Sequence, residues 1–227
     1  MTKIRDKLQI IGTEIESAER QYQRAKNSVQ LLAVSKRHPV EAIQEAYQAG
    51  QTAFGENYVQ ELIDKAKALH ELDIEWHFIG PLQSNKTKQI AETASWVHTI
   101  DRLKIAQRLN DQRPEDLPPL SVCIQVNISG EISKSGVMEN EVAQIAKQLL
   151  TFPRLRLRGL MVIPAPETDF YKQRITFAKV AKLKNSLNQQ GFKLDTLSMG
   201  MSGDMEAAIA EGATIVRIGT AIFGTRD

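Results

Sequence analysis

Val29-Gln30-Leu31-Leu32-Ala33-Val34-Ser35 is too short for a helix and carries apolar side chains at both odd and even positions. A strand covered on both faces, as in a parallel sheet, has this character. It runs into Lys36, and Pro39 follows where a helix can begin at its first position. The helical pattern Val40–Ala49 then stops at Gly50, a residue suited to the left-handed C-terminal cap.

The same unit repeats outward along the chain. Further strand-like runs are Thr52–Gly55, Glu75–Gly80, Trp96–Ile100, Leu120–Asn127, Arg156–Ile163, Thr196–Met199 and Thr214–Gly219. Helical patterns separate them at Tyr58–Leu72, Lys86–Ala94, Arg102–Asn110, Glu139–Leu150, Phe170–Gln189 and Met205–Ala210. With the first unit, that makes eight strands and seven intervening helices. Alternation of this kind requires a parallel sheet, because each return crossover needs a helix. Eight units match the (β/α)8 barrel, and an open doubly wound sheet is the competing arrangement. Before the first strand, Ile4, Leu8, Ile11, Ile15, Ala18 and Tyr22 form one apolar stripe on an extra N-terminal helix. Asp227 ends the chain eight residues after Gly219, too soon for a full eighth helix, so the N-terminal helix is expected to cover that part of the outer ring. Arg113–Pro119 is the nearest thing to a break and is only a loop, so residues 1–227 are expected to form one domain.

The totals exclude several classes. The 227 residues are 42% hydrophobic and 25% charged, with 29 basic and 27 acidic residues giving a net charge of +2. That balance offers no electrostatic reason to expect nucleic acid or an anionic membrane as partner. The lone cysteine, Cys123, sits in the apolar run Val122–Ile128 and is expected in the core. One cysteine makes no internal disulfide, and the charged N-terminus is no signal segment, so a soluble cytoplasmic protein is expected. His38, His70, His77 and His98 share no close spacing with other ligands, so no metal site is expected. Arg154, Arg156 and Arg158 alternate along one strand as a charged rim at the base of the barrel.

Barrel ligands sit at the C-terminal ends of the strands, with phosphate often held after the seventh and eighth. Ser198-Met199-Gly200-Met201-Ser202-Gly203-Asp204-Met205-Glu206 follows the seventh strand-like run. Its glycines, hydroxyl and fresh helix start suit a nest of backbone N–H groups, although Ser202 serves equally well as an ordinary helix cap with Glu206 near it. In Thr214–Thr220, Ile215, Arg217 and Gly219 share one face, and Val216 and Ile218 share the other. The apolar pair suits packing against helices, which points Arg217 inward, where it needs a carboxylate, a phosphate or a ring nitrogen. Gly219 and Thr220 lie beside the preceding loop as further phosphate donors. Lys36 ends the first strand at the same mouth. It is either a rim lysine in solvent or an amine whose pKa burial lowers from about 10.4, which permits imine formation. An aldehyde that carries a phosphate suits all of these together, and pyridoxal 5′-phosphate (PLP) is such a molecule.

Several motifs carry a resemblance over essentially the whole chain: Leu31–Lys36, Phe54–Glu61, Trp76–Lys86, Arg158–Met161, Ser198–Met205 and Val216–Gly224. In them the chain resembles the pyridoxal-phosphate homeostasis proteins, relatives of the barrel domain of alanine racemase. The resemblance implies a fold-type III PLP barrel in which Lys36 carries the cofactor as a Schiff base and Arg217 faces its pyridine nitrogen. It also implies that Ser202, Gly203, Gly219 and Thr220 hold the phosphate and that Asn57 lies beside the ring. Gly203 departs from the Asp or similar residue of many relatives but keeps its backbone N–H. Enzymes of this fold type carry a second, β domain with a catalytic tyrosine, and a chain ending at Asp227 leaves no room for one.

The expected function is therefore a non-catalytic carrier of PLP in vitamin B6 and amino-acid homeostasis. PLP-dependent apoenzymes are candidate recipients, and a monomer is expected. The alternatives are a PLP-dependent racemase or decarboxylase, an aldolase-like barrel whose Lys36 attacks a sugar phosphate, and an interaction protein in which the cofactor is only structural.

Overall fold

The computed structural model describes residues 3–129 and 135–225. Its strands are β1 (Gln30–Val34), β2 (Ala53–Glu56), β3 (Glu75–Phe78), β4 (Trp96–Ile100), β5 (Leu120–Asn127), β6 (Val137–Met138), β7 (Leu155–Met161), β8 (Thr196–Ser198) and β9 (Ile215–Ile218). Setting β6 aside, they pair in chain order, all parallel, and β1 pairs with β9 to close a cylinder. The short β6 extends the mouth end of β5 and has no counterpart in the sequence reading, since Val137–Met138 offers no period to read. The open doubly wound sheet is excluded by the β1–β9 pairing.

The helices are α1 (Ile4–Gln21), α2 (Val40–Gln48), α3 (Val59–Ala68), α4 (Thr87–Thr93), α5 (Leu103–Gln112), α6 (Val142–Leu149), α7 (Phe170–Gln189), α8 (Met205–Ala210) and α9 (Thr220–Phe223). The pleat sorts side chains into two cores, because successive residues of a strand face opposite ways. Leu32, Val34, Ile79, Trp96, Cys123, Met161 and Ile215 fill the barrel axis. Ala33, Phe54, Phe78, Val97, Val216 and Ile218 pack outward against the helices. Gly159 is required by the wall itself: a Cβ there would lie 1.8 Å from the Thr196 carbonyl oxygen.

α1 covers the outer ring beside the four-residue α9. It packs against α2, α8 and α9, burying Ile11, Ile15 and Ala18. Each such isoleucine contributes about 1.5–3 kcal/mol by leaving water. The link from α1 to β1 is pinned by Glu19, whose buried carboxylate accepts from the backbone of Asn27 at 3.0 Å and Val29 at 2.9 Å. At the base of the barrel Arg154 pairs with Glu115 and Arg158 with Asp195, as a charged rim. Among the described residues no helix is long and apolar enough to cross a membrane.

Candidate functional site

Lys36 lies half-buried in the turn that follows β1. The turn closes through His38 N–H donating to the Ser35 carbonyl at 3.0 Å, with Arg37 in the left-handed region at φ 61°. A non-glycine residue there needs support. Glu61 on α3 supplies it by accepting from the Arg37 N–H at 2.8 Å, and the Arg37 guanidinium reaches Tyr58 OH at 3.1 Å. Beneath the turn is a buried ionic cluster: Lys65 Nζ donates to the Ser35 carbonyl at 2.9 Å, to Glu56 Oε1 at 2.8 Å and to Glu61 Oε2 at 3.1 Å. Ser35 Oγ also donates to Glu56 Oε1, at 2.7 Å. Burial pushes the Glu56 carboxyl up to about 7, against the pull of Lys65 and Ser35.

Asn57 follows β2 at the same mouth. Its backbone is crossed so closely by Gly80 that a Cβ on that glycine would lie 1.9 Å from the Asn57 carbonyl oxygen. Gly80, expected at the end of a strand, lies beyond the end of β3. Asn57 Oδ1 and Glu56 Oε2 are buried with no hydrogen-bond partner. A buried polar atom without a partner is costly, so an unpaired Oδ1 marks a place for a donor or a water.

Arg217 points inward from β9, as its parity predicts. It is buried, with Nη1 donating to Ser198 Oγ at 3.0 Å and Nη2 to the Val162 carbonyl at 2.9 Å. Among the described residues no carboxylate reaches ion-pair distance of it, which removes the carboxylate-pair alternative. Burial lowers its pKa to about 10, so it stays cationic at neutral pH.

The loop after β8 turns at Gly200, φ +96°. Asp204 stands at the N-terminal cap position of α8, but its Oδ1 turns back to the loop and accepts from Met201 N–H at 2.6 Å. Ser202 is therefore not the cap, and Glu206 instead accepts from Tyr22 OH at 2.8 Å. Gly219 starts α9, where a Cβ would come within 3.1 Å of the Val34 carbonyl oxygen, and Thr220 is its first residue. Lys36, Asn57, Ser202, Gly203, Arg217, Gly219 and Thr220 all line one cavity of about 280 Å³, walled on its apolar side by Val34, Ile79, Ile163 and Met201. An amine, a buried guanidinium and two hydroxyl- and glycine-bearing loops around that volume suit a small, flat, anionic ligand.

Sequence reasoning missed what lies beneath this cavity. His77 and His98, which share no close spacing in the chain, meet at 2.9 Å inside the barrel. The pairing register between β3 and β4 brings them together, aligning His77 with Trp96 so that His98 stands one inward step higher. His98 Nδ1 is 2.7 Å from Ser198 Oγ, and His77 Nε2 is 2.5 Å from Glu75 Oε1. The signal was the inward parity of each of these residues in its own strand. Among the described residues no group of three His, Cys, Asp or Glu side chains gathers around a common point.

Residues 15–227 match the family described as alanine racemase, N-terminal domain. The chain is 60% identical to a pyridoxal phosphate homeostasis protein of Vibrio alginolyticus, an alignment that covers 100% of this chain and 99% of that one. PipY of Synechococcus elongatus, solved with PLP bound, superposes with a TM-score of 0.81 at 38% identity, covering 92% of this chain and 100% of that one. An alanine racemase of Clostridium difficile shares the fold at a TM-score of 0.76 and 16% identity, covering 98% of this chain and 56% of that one. The chain belongs to the alanine racemase N-terminal domain family and, within it, to the pyridoxal phosphate homeostasis proteins.

Proposed function

We propose that this chain holds PLP reversibly in the 280 Å³ cavity, as a Schiff base on Lys36, and serves vitamin B6 and amino-acid homeostasis in the cytoplasm without catalytic turnover. The observation that carries this reading is convergence: residues far apart in sequence, from Lys36 to Thr220, line that one cavity. When bound, PLP supplies an aldehyde on an electron-withdrawing ring. The donor set fits such a group. Arg217 offers hydrogens with no carboxylate to absorb them, Asn57 Oδ1 is buried and unpartnered, and the apolar wall suits a ring. In this reading Lys36 Nζ makes the covalent link, and the turn anchored by Lys65 and Glu61 aims it. Ser202, Gly203, Gly219 and Thr220 hold the phosphate.

Arg217 does not decide the question of turnover. A guanidinium donates and favours an unprotonated ring nitrogen, where carbanion chemistry on this cofactor usually draws on a carboxylate, yet racemases of this barrel type tolerate the arginine. The homeostasis, rather than reaction, named for the Vibrio alginolyticus relative is what supports a carrier without turnover. PLP-dependent apoenzymes are the recipients in this reading, and the carrier is a monomer. The test is absorbance: purified protein is yellow, and Lys36→Ala loses the visible band while keeping its fold. An unchanged spectrum in Lys36→Ala ends the proposal. D-isomers or amines appearing from L-amino acids would replace the carrier by an enzyme.

A further inference from the structure

The row of polar side chains beneath the cavity is left unused by the carrier reading. From the base of the barrel it runs Glu75 Oε1, His77, His98, Ser198 Oγ and Arg217 Nη1, with contacts of 2.5, 2.9, 2.7 and 3.0 Å. His77, His98 and Ser198 are fully buried, while the Glu75 side chain at the base remains 41% exposed. Trp96 stacks flat on His77, 6° from parallel, which fixes the plane of that ring.

The order of hydrogens along this row follows from its ends. A guanidinium only donates, so Ser198 Oγ accepts from Arg217. The one hydroxyl hydrogen of Ser198 then turns to its other neighbour, His98 Nδ1, which must be bare. A neutral His98 carries its hydrogen on Nε2 and gives it to His77 Nδ1, and His77 gives its own Nε2 hydrogen to the Glu75 carboxylate. The opposite order strands the Ser198 hydroxyl and sets a bare His77 nitrogen against a carboxylate. A charged ring would relieve that, but burial lowers the pKa of both histidines, and His77 and Arg217 add to the effect on His98.

We infer that Glu75, His77, His98 and Ser198 are positioning residues, a one-way hydrogen-bond chain that holds Arg217 as a fixed donor at the mouth and selects ligands presenting an unprotonated ring nitrogen. The chain joins the Arg217 cation to the Glu75 anion through neutral groups that polarise one another in the same sense. The ligand half of this inference rests on the carrier reading, and the direction of the hydrogens does not.

Two measurements on the full-length chain test it. Nitrogen-15 NMR of the histidine rings, without added ligand, reads the tautomers directly: His77 and His98 are both expected as neutral Nε2–H forms at pH 7. An Nδ1–H form or an imidazolium at either position overturns the chain. PLP titration then reads its effect. His98→Phe is expected to weaken PLP binding about tenfold and to move the visible band, because the Ser198 hydroxyl loses its acceptor and no longer holds Arg217 in one orientation. His98→Gln, which still donates and accepts, is expected to restore most of both. In an Arg217→Gln background His98→Phe is expected to add nothing. Independent effects in that double variant, or a band unmoved in His98→Phe, would sink the positioning role. If His98→Phe fails to fold, Ser198→Ala carries the same comparison. A wild-type protein that takes up no PLP refutes the carrier reading alone, and the ring tautomers still decide the chain.

Discussion

Lys65 and Arg217 are both buried cations at the mouth of the barrel, and their surroundings differ in kind. Lys65 reaches from α3 to Glu56 Oε1 at 2.8 Å and Glu61 Oε2 at 3.1 Å, so its charge is neutralised where it stands. Arg217 touches a serine hydroxyl and a carbonyl, and Asp204, the carboxylate whose charge acts on it, stays beyond ion-pair distance and accepts from Met201 N–H instead. A locally paired cation holds backbone in place, here the turn that carries Lys36, and leaves little field for anything else. A cation whose partner is distant keeps donor strength to share with a ligand. One cation therefore shapes the site, and in the carrier reading the other meets what enters it.

The sharpest way to break this contrast is to remove the paired cation. Lys65→Ala leaves Glu56 buried and uncompensated, with an expected loss of about 3–5 kcal/mol in denaturant unfolding. Lys65→Met combined with Glu56→Leu is expected to recover most of it, because an apolar pair replaces a buried ion pair at little cost. A single variant within 1 kcal/mol of wild type would mean that the pair is not the anchor.

The next effect is in pH. The Glu56 carboxyl titrates near 7 when folded and near 4.5 when unfolded, so the folded chain holds more protons between those values. Its contribution to stability is therefore present below pH 4.5 and is lost as pH rises through 7, on the order of 3 kcal/mol in all. Unfolding followed from pH 5 to 8 is expected to show this decline, and Glu56→Gln to flatten it. A decline that survives in Glu56→Gln would assign the titration elsewhere.

Arg217→Met sharpens the comparison from the other side. No ion pair is broken, so the expected loss is about 1–2 kcal/mol, that of unpaired hydrogen bonds, while PLP affinity falls far more than it does in Lys65 variants that still fold. Equal losses of affinity in both would erase the distinction. The smallest effect is expected at the base, where Arg158→Ala breaks an exposed pair with Asp195 and a contact over Trp96, at less than about 1 kcal/mol.

The barrel was legible because strands covered on both faces read as apolar runs, as Val29–Ser35 does, and because the inward parity of Arg217 could be counted from Ile215. Lys36 and the loops holding Ser202 and Gly219 followed from where strands end. Parity within a strand says nothing about register between strands, so His77 and His98 looked unrelated until β3 and β4 were aligned. Lys65 was readable in principle. It falls three residues after Leu62 and four before Leu69 on the buried face of α3, but a lysine on a helix is ordinarily taken as solvated. Ser202 was ambiguous because a cap and a ligand donor use the same chemistry, and only the position of Asp204 separates them.

The placement of α1 has a consequence for how the chain is made. Tyr22 meets Glu206 across 184 residues, and Arg24 meets the Ala213 carbonyl across 189. At roughly 5–20 residues per second, the first helix leaves the ribosome some 10–40 s before its partners. During that wait α1 has α2 to pack on but neither α8 nor α9, and closure of the cylinder between β1 and β9 waits on the same late arrival. Contacts so distant in sequence slow folding, which makes α1 the segment for a chaperone to shield during synthesis.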